Sequence, residues 1–342
     1  MAYTTINKST ENFDTNLYTA NGSGKTITGM DFKPSFIWTK NRDNASYIHA
    51  IVDQVRGGTK KLFPNDTSQG ESTDANAVTA WTSDGYTFGS SGSFNYSTNN
   101  YVNWCWKGNN AGSANTQGDI NSTVSVNAAG GFSIVKWTGT NANATVGHGL
   151  GVVPKMIIVR RIAASSTVVY HSEIGNTNRL TLDGTGTPSA SANWWNNASP
   201  TNQVFTVGTD GGHNGSTDNY IAYCFADVVG YQKIGKYVGN GSTDGTFIYT
   251  GFKPTFVLYK NTSQADEWFV KDIKRPSGNP TDLMFWSADN AEVTNLDRLN
   301  IFSNGFKVTT TDKGANASGD NYVYLAIGQT LVGSNNTPCT AR

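Results

Sequence analysis

The sequence predicts an all-β protein made of three tandem antiparallel β-sandwich repeats of the jelly-roll or concanavalin-like kind. Three observations carry that prediction. A strand-forming block headed by Pro occurs three times, a block headed by Asn-Tyr follows each copy at a matching distance, and the intervening segments are dense in Gly, Asn and Asp. No amphipathic helix longer than two turns is evident; the short exceptions lie near Asp53–Gly57 and Ala288–Asn295.

The Pro blocks run from Pro34 to Asn41, Pro154 to Arg160 and Pro254 to Asn261, each a stretch of bulky apolar residues. The Asn-Tyr blocks run from Asn100 to Trp106, Asn219 to Phe225 and Asn321 to Ile327, and the distances from Pro to Tyr are 67, 66 and 68 residues. A third marker (Tyr86, Phe205, Phe306) precedes the tyrosines, and a fourth (Tyr18, Trp137, Tyr237) precedes the prolines, again at near-constant spacing. The repeats divide the chain at 1–118, 119–229 and 230–342.

Within the Asn-Tyr blocks the period is two. Val102, Trp104 and Trp106 share one face, matched by Ile221, Tyr223, Phe225 and by Val323, Leu325, Ile327. Such a face is expected to pack on a second sheet of its own sandwich. The turns between strands, such as Asn21-Gly-Ser-Gly24 and Asn240-Gly-Ser-Thr-Asp-Gly245, supply positive φ at low cost. A linker rich in Asn, Gly, Ser and Ala, 109–118, separates the first repeat from the second, whereas 226–230 is short, so the second and third repeats are expected to couple more tightly.

Composition narrows the function. Lys+Arg and Asp+Glu both number 25 in 342 residues, so there is no basic excess for nucleic acid. No apolar run reaches the ~18 residues of a membrane helix, and the start is polar without an apolar secretory core, which predicts neither membrane insertion nor export. Of three cysteines, Cys105 and Cys224 stand at matching positions with Ala326 as the third counterpart and read as small buried residues; Cys339 is near the end.

Gly22-Ser-Gly-Lys-Thr26 ends like a phosphate loop but lacks the earlier Gly and is followed by a strand block. His49, His148, His171 and His213 show no metal-ligand spacing, and His148, between glycines, is expected to cap a turn. Asp53, Glu173 and Asp272 fall 19, 19 and 18 residues after the prolines; an acid present once per repeat reads as a salt-bridging or turn-capping residue rather than a catalytic one. No catalytic residue, metal site or cofactor is predicted. Trp194 and Trp195, beside amide side chains, and Trp268 and Trp286 are the candidates for glycan binding, against a competing role in the core or at an interface.

The runs Ser133 to Val159, Tyr237 to Pro254 and Asn219 to Ala226 resemble repeat modules of tail-fibre and other virion structural proteins of marine tailed phages, cyanophages among them. The resemblance covers about residues 16–330 and implies a β-rich, non-enzymatic part of a phage particle, made in the host cytoplasm, that displays loops to a host-surface glycan as a fibre, spike or knob. It also implies contacts with other virion proteins and a homo-oligomer, a trimer as in many phage fibres. Here the repeats begin almost at Met1, so docking is expected from the segment to Asn16, the tail after Leu331 or an oligomer interface. A capsid decoration protein without receptor binding and a carbohydrate-active enzyme on a β-sandwich are the alternatives.

Overall fold

The computed structural model describes residues 4–275, 279, 284–285, 292–293 and 298–330; the expectations placed on Trp286, Cys339, the tail after Leu331 and most of Ala288–Asn295 lie outside them. The fold is all-β, with several antiparallel sheets. Among the described residues the α-helices are single turns, α1 (Gly92–Asn95), α2 (Ala192–Trp195) and α3 (Gly211–Asn214), Ser9–Glu11 is one 3-10 turn, and Asp53–Gly57 forms a turn.

The first third carries β1 (Phe13–Thr19), β2 (Lys25–Ile27), β3 (Pro34–Asn41), β4 (Ala50–Asp53), β5 (Lys60–Lys61), β6 (Ser72–Thr73), β7 (Val78–Thr82), β8 (Gly85–Phe88) and β9 (Asn100–Lys107). The second carries β10 (Ser113–Asn115), β11 (Ser122–Asn127), β12 (Phe132–Thr138), β13 (Ala144–Gly147), β14 (Met156–Arg161), β15 (Thr167–His171), β16 (Asn178–Thr181), β17 (Ser189–Ala190), β18 (Val204–Val207) and β19 (Asn219–Phe225). The last carries β20 (Gln232–Val238), β21 (Phe247–Tyr249), β22 (Phe252–Asn261), β23 (Trp268–Asp272), β24 (Met284–Phe285), β25 (Leu299–Phe302), β26 (Gly305–Val308) and β27 (Asn321–Thr330).

Three large sheets share one strand order. It reads β1-β9-β3-β4 in the first, β12-β19-β14-β15 in the second and β20-β27-β22-β23 in the third. The second is extended by β10 and β11 on one edge and β16 and β17 on the other, and the third by β24. Each large sheet faces a small one: β2-β8-β7, β13-β18 or β21-β26-β25. In β3 and β22 the ladder shifts register between Pro34 and Phe36 and between Pro254 and Phe256, as expected where a residue without an N–H enters a strand.

The sequence markers have a physical role. Tyr18 stacks on Tyr101 at 5.4 Å, Trp137 on Tyr220 at 5.4 Å and Tyr237 on Tyr322 at 4.7 Å. The hydroxyls of Tyr101, Tyr220 and Tyr322 donate to the Gly92, Gly211 and Lys313 carbonyls at 2.6, 2.7 and 2.7 Å. They accept from the Tyr96, Gly215 and Ala317 amides at 3.0, 2.6 and 2.8 Å. Each Asn-Tyr tyrosine therefore pins the loop that leads into its own strand.

The large apolar faces pack differently from the expectation. Val102, Trp104 and Trp106 do not cover their own small sheet; they meet Phe132, Tyr223, Phe225, Phe256 and Ile327 in one core shared by all three large sheets. Trp106 lies 5.7 Å from Phe256 and 6.2 Å from Phe225, and Phe36 lies 4.4 Å from Tyr223. The opposite faces, with Tyr101 and Cys105, with Tyr220 and Cys224, or with Tyr322 and Ala326, form separate outer cores against the small sheets. Both faces of the central strands are thus buried, and each fully buried large side chain adds roughly 1.5–3 kcal/mol. The linker 109–118 is likewise no spacer, because β10 pairs with β11 and β11 with β12.

Candidate functional site

The features that set this molecule apart sit at the seams between large sheets. Each seam begins at the turn after the fourth strand. After β4, Asp53 accepts from the Arg56 amide at 2.9 Å and from its Nε at 2.6 Å, while Arg56 Nη1 reaches Glu71 at 3.2 Å. After β23, Asp272 accepts from the Arg275 amide at 3.0 Å and from its Nε at 2.6 Å, and Arg275 Nη1 reaches Glu292 at 2.7 Å. The two pairs are almost fully buried. Burial opposes the charge of each arginine, but the facing carboxylates outweigh it and hold both guanidinium pKa values above the ordinary one.

These turns are tied to the neighbouring sheet. The Tyr223 hydroxyl donates to Asp53 at 2.9 Å, and Trp104 Nε1 donates to Asp272 at 3.1 Å. The third such position holds His171, which pairs with Met156 as Asp53 pairs with Phe36 and Asp272 with Phe256. Its Nδ1 accepts from the Glu173 amide at 3.2 Å, which leaves Nε2 as the donor to the Tyr324 carbonyl at 3.3 Å. Burial pushes its pKa down to about 4, so the ring is neutral. Glu173 is therefore not the counterpart of Asp53 and Asp272: it lies two residues on, at the surface, where it pairs with Lys236 at 3.3 Å. Asp53 and Asp272 do bridge and cap turns, as expected.

A loop from each sheet also docks on the next. Arg160 donates to the Asp66 and Gln69 carbonyls at 2.8 and 2.5 Å, and the Glu71 amide donates to Ile162. Lys260 donates to Gly184 and Thr185 at 3.4 and 3.1 Å; burial lowers its pKa to about 8. Arg42 Nε donates to Glu292 at 2.6 Å, and the Glu292 amide returns a bond to Arg42. First to second, second to third, third to first: the contacts close a ring within one chain.

The outer mouths of the seams differ. The mouth between the first and second sheets is filled by residues 109–127, where the Asn109 and Asn110 amides donate to Ser125 and Ser35. Between the second and third a groove of about 560 Å³ remains, with Lys155, Glu173, Asp227, Lys236, Phe247 and Tyr249 around it. Between the third and first a groove of about 330 Å³ is lined by Phe13, Asp14, Thr15, Lys253, Thr255 and Lys274. Burial raises the Asp14 pKa there, against the lowering effect of Lys274.

Of the two roles open to the tryptophans, Trp194, Trp195 and Trp268 take the one in the core and not that of a glycan platform. Trp194 and Trp195 are buried in the outer core of the second third, because the single turn α2 folds both rings inward. The Arg179 guanidinium covers Trp194 at 3.9 Å, and Trp195 Nε1 donates to the Asn178 carbonyl at 3.0 Å. Trp268 is fully buried in the shared core and donates to the Thr181 carbonyl at 2.9 Å. None of the three offers a ring face to solvent, and Trp286 lies outside the described residues.

The remaining candidates are structural in their contacts. Cys105 and Cys224 are buried free thiols, and burial pushes Cys224 up to about 12. Lys25 and Thr26 stand in β2, with Lys25 Nζ donating to the Thr19 carbonyl at 3.0 Å. His148 Nδ1 accepts from the Leu150 amide, the turn cap expected of it. Among the described residues no three His, Cys, Asp or Glu side chains gather as metal ligands, and no helix is long and apolar enough to cross a membrane.

No curated protein matches the chain. A family described as a domain of unknown function, DUF7483, matches residues 8–330, the span that holds all three large sheets, and the chain belongs to that family.

Proposed function

We propose that this protein is a non-enzymatic structural component of a phage particle, a fibre, spike or knob whose loops face the host surface. Its three thirds are read as tandem β-sandwich repeats of the jelly-roll type, set around one core. The observation that supports this most is the ring of three like sheets braced by buried aromatic and ionic contacts, combined with modules such as Ser133 to Val159 that resemble phage virion repeats. Cross-bracing between sheets suits a part that bears load and presents surface loops.

Host-surface glycan would meet exposed loop groups rather than the buried tryptophans; Tyr96, exposed beside Tyr47 at 4.8 Å, is one such platform. A homotrimer remains part of the proposal only through the outer loops and grooves, because the large apolar faces are already consumed within one chain. Antibodies against the chain, used in electron microscopy of particles that carry it, test the assignment. Label at tail fibres or spikes is expected, label over the capsid indicates the decoration role, and no label on particles overturns both. Release of reducing ends from host polysaccharide by the purified chain would point to the enzyme.

A further inference from the structure

We propose that the outer edge of β20, with the groove between it and β21, is a strand-addition site for an extended, uncharged segment of another polypeptide that alternates β-branched and small polar residues. The corresponding edge of β12 is covered in this way by the chain's own β11.

Backbone parity sets the correspondence. The Gly328 amide donates to the Tyr231 carbonyl and the Gly239 amide to Asp320, so odd residues of β20 face β27 and even ones face away. In β12 the Ala226 amide bonds to Gly131 and the Gly139 amide to Asp218, and the even residues there meet β11: Phe132 opposite Asn127, Ile134 opposite Ser125, Lys136 opposite Thr123. Lys136 and Lys236 hold the same register, opposite Ile221 and Val323 on the central strands. On β20, Gln232 is closed by a bridge to Val228, the Ile234 amide by Asp227 at 2.8 Å and the Val238 carbonyl by Thr246 at 2.7 Å. Among the described residues, the Ile234 carbonyl, both backbone groups of Lys236 and the Val238 amide have no strand beside them.

The small sheet points the same way. In the second third the covering segment crosses onto β13, where the Ile120 amide donates to Thr145 and Ser122 Oγ to Gly147, each at 3.0 Å. Ile248 pairs with Phe306 as Val146 pairs with Phe205, so the counterparts of Thr145 and Gly147 are Phe247 and Tyr249. These are 43% and 54% exposed, and Val238 at the strand end is 50% exposed. Apolar rings beside an open strand edge are the pattern that strand addition uses, with main-chain bonds for affinity and ring contacts for selectivity. The charged groups around the groove are engaged within the chain, Lys155 with Asp227 at 2.5 Å, Lys236 with Glu173 at 3.3 Å and Lys233 with the Tyr249 carbonyl at 2.7 Å, so an uncharged segment fits. The β1 edge is open as well, but its groove is smaller and Leu17 is its one exposed large apolar residue.

The test uses the full chain and a fluorescent, end-capped synthetic peptide with the sequence of residues 120–130, which carries no charged side chain. Saturable binding by anisotropy is expected, weakened at least about tenfold by Lys236→Pro, which deletes the free amide on an edge that tolerates proline, and kept by Lys236→Ala. The double variant Phe247→Ser with Tyr249→Ser, which alters exposed rings only, is expected to weaken binding similarly and stands in where Lys236→Pro does not fold. Bound peptide should slow hydrogen exchange at the Lys236 and Val238 amides. No saturable binding, binding unchanged in both the proline and the ring variants, or protection of β1 amides in place of β20 amides overturns the site.

Discussion

The turns after β4 and β23 and the turn after β15 solve one problem in two ways. The first two bury an Asp-Arg pair that reaches a glutamate; the third sets His171 where the aspartates stand and Ile174 where the arginines stand, the latter packed against the shared core. What all three keep is an acceptor for amides of the following turn and a hydrogen bond to the next sheet. Charge is therefore not what closes the ring. The buried ion pair is a local solution that tolerates replacement as a unit but not removal of one half.

The largest effect expected from this comparison is loss of one partner. Asp53→Ala or Asp272→Ala leaves a buried guanidinium short of its nearest counter-charge and should cost about 3–5 kcal/mol, read as a lower urea midpoint. An effect below ~1 kcal/mol would mean that the remaining glutamate compensates fully.

A pH titration sharpens the other side. His171 stands at about 4 in the folded chain against an ordinary 6.5. Above 6.5 neither state holds the proton. Between 6.5 and about 4 the unfolded chain takes it up and the folded chain does not, so stability falls as pH drops through that window, by up to ~3 kcal/mol. His171→Asn keeps an acceptor for the Glu173 amide without titrating and should flatten this slope; equal slopes in both proteins would rule out His171 as its source.

Transplanting one corner onto another tests the comparison itself. Asp53→His combined with Arg56→Ile should cost less than Asp53→Ala alone, about 2 kcal/mol at most, because the partly exposed Glu71 keeps Lys60 at 3.9 Å and no unpaired charge is left fully buried. A double variant as unstable as the single one would show that the ionic corner cannot be exchanged. The smallest effect is expected at Cys105→Ala, about 1 kcal/mol, since Ala326 already fills the matching place in the third sheet; thermal midpoints read it.

Much of the fold was legible in the sequence because the repeat markers have local duties. Tyr18, Trp137 and Tyr237 had to recur at fixed spacing since they stack on the tyrosines of the Asn-Tyr blocks. The direction of the Trp104 face was not legible: alternation reports that a face is buried, not which sheet buries it. The spacing from Pro154 points to Glu173 and not to His171 because the connection between β14 and β15 is shorter than that between β3 and β4, and because His171 differs in type from its counterparts. For Trp194 and Trp195 the polar neighbours leave a glycan platform and a core role both open, and a single helical turn and Arg179 enclose the rings in the core. The open β20 edge has a sequence signal in hindsight, the long linker before the second repeat that has no equivalent before the third.

One shared core makes the three thirds a single cooperative unit, and hydrogen exchange measured by mass spectrometry across a urea series tests this directly. Peptides from β9, β19 and β27 of the same sample are predicted to lose protection at one common midpoint. Three separate midpoints, with β9 released while β19 and β27 stay protected, would contradict it and restore the picture of independent domains on a string.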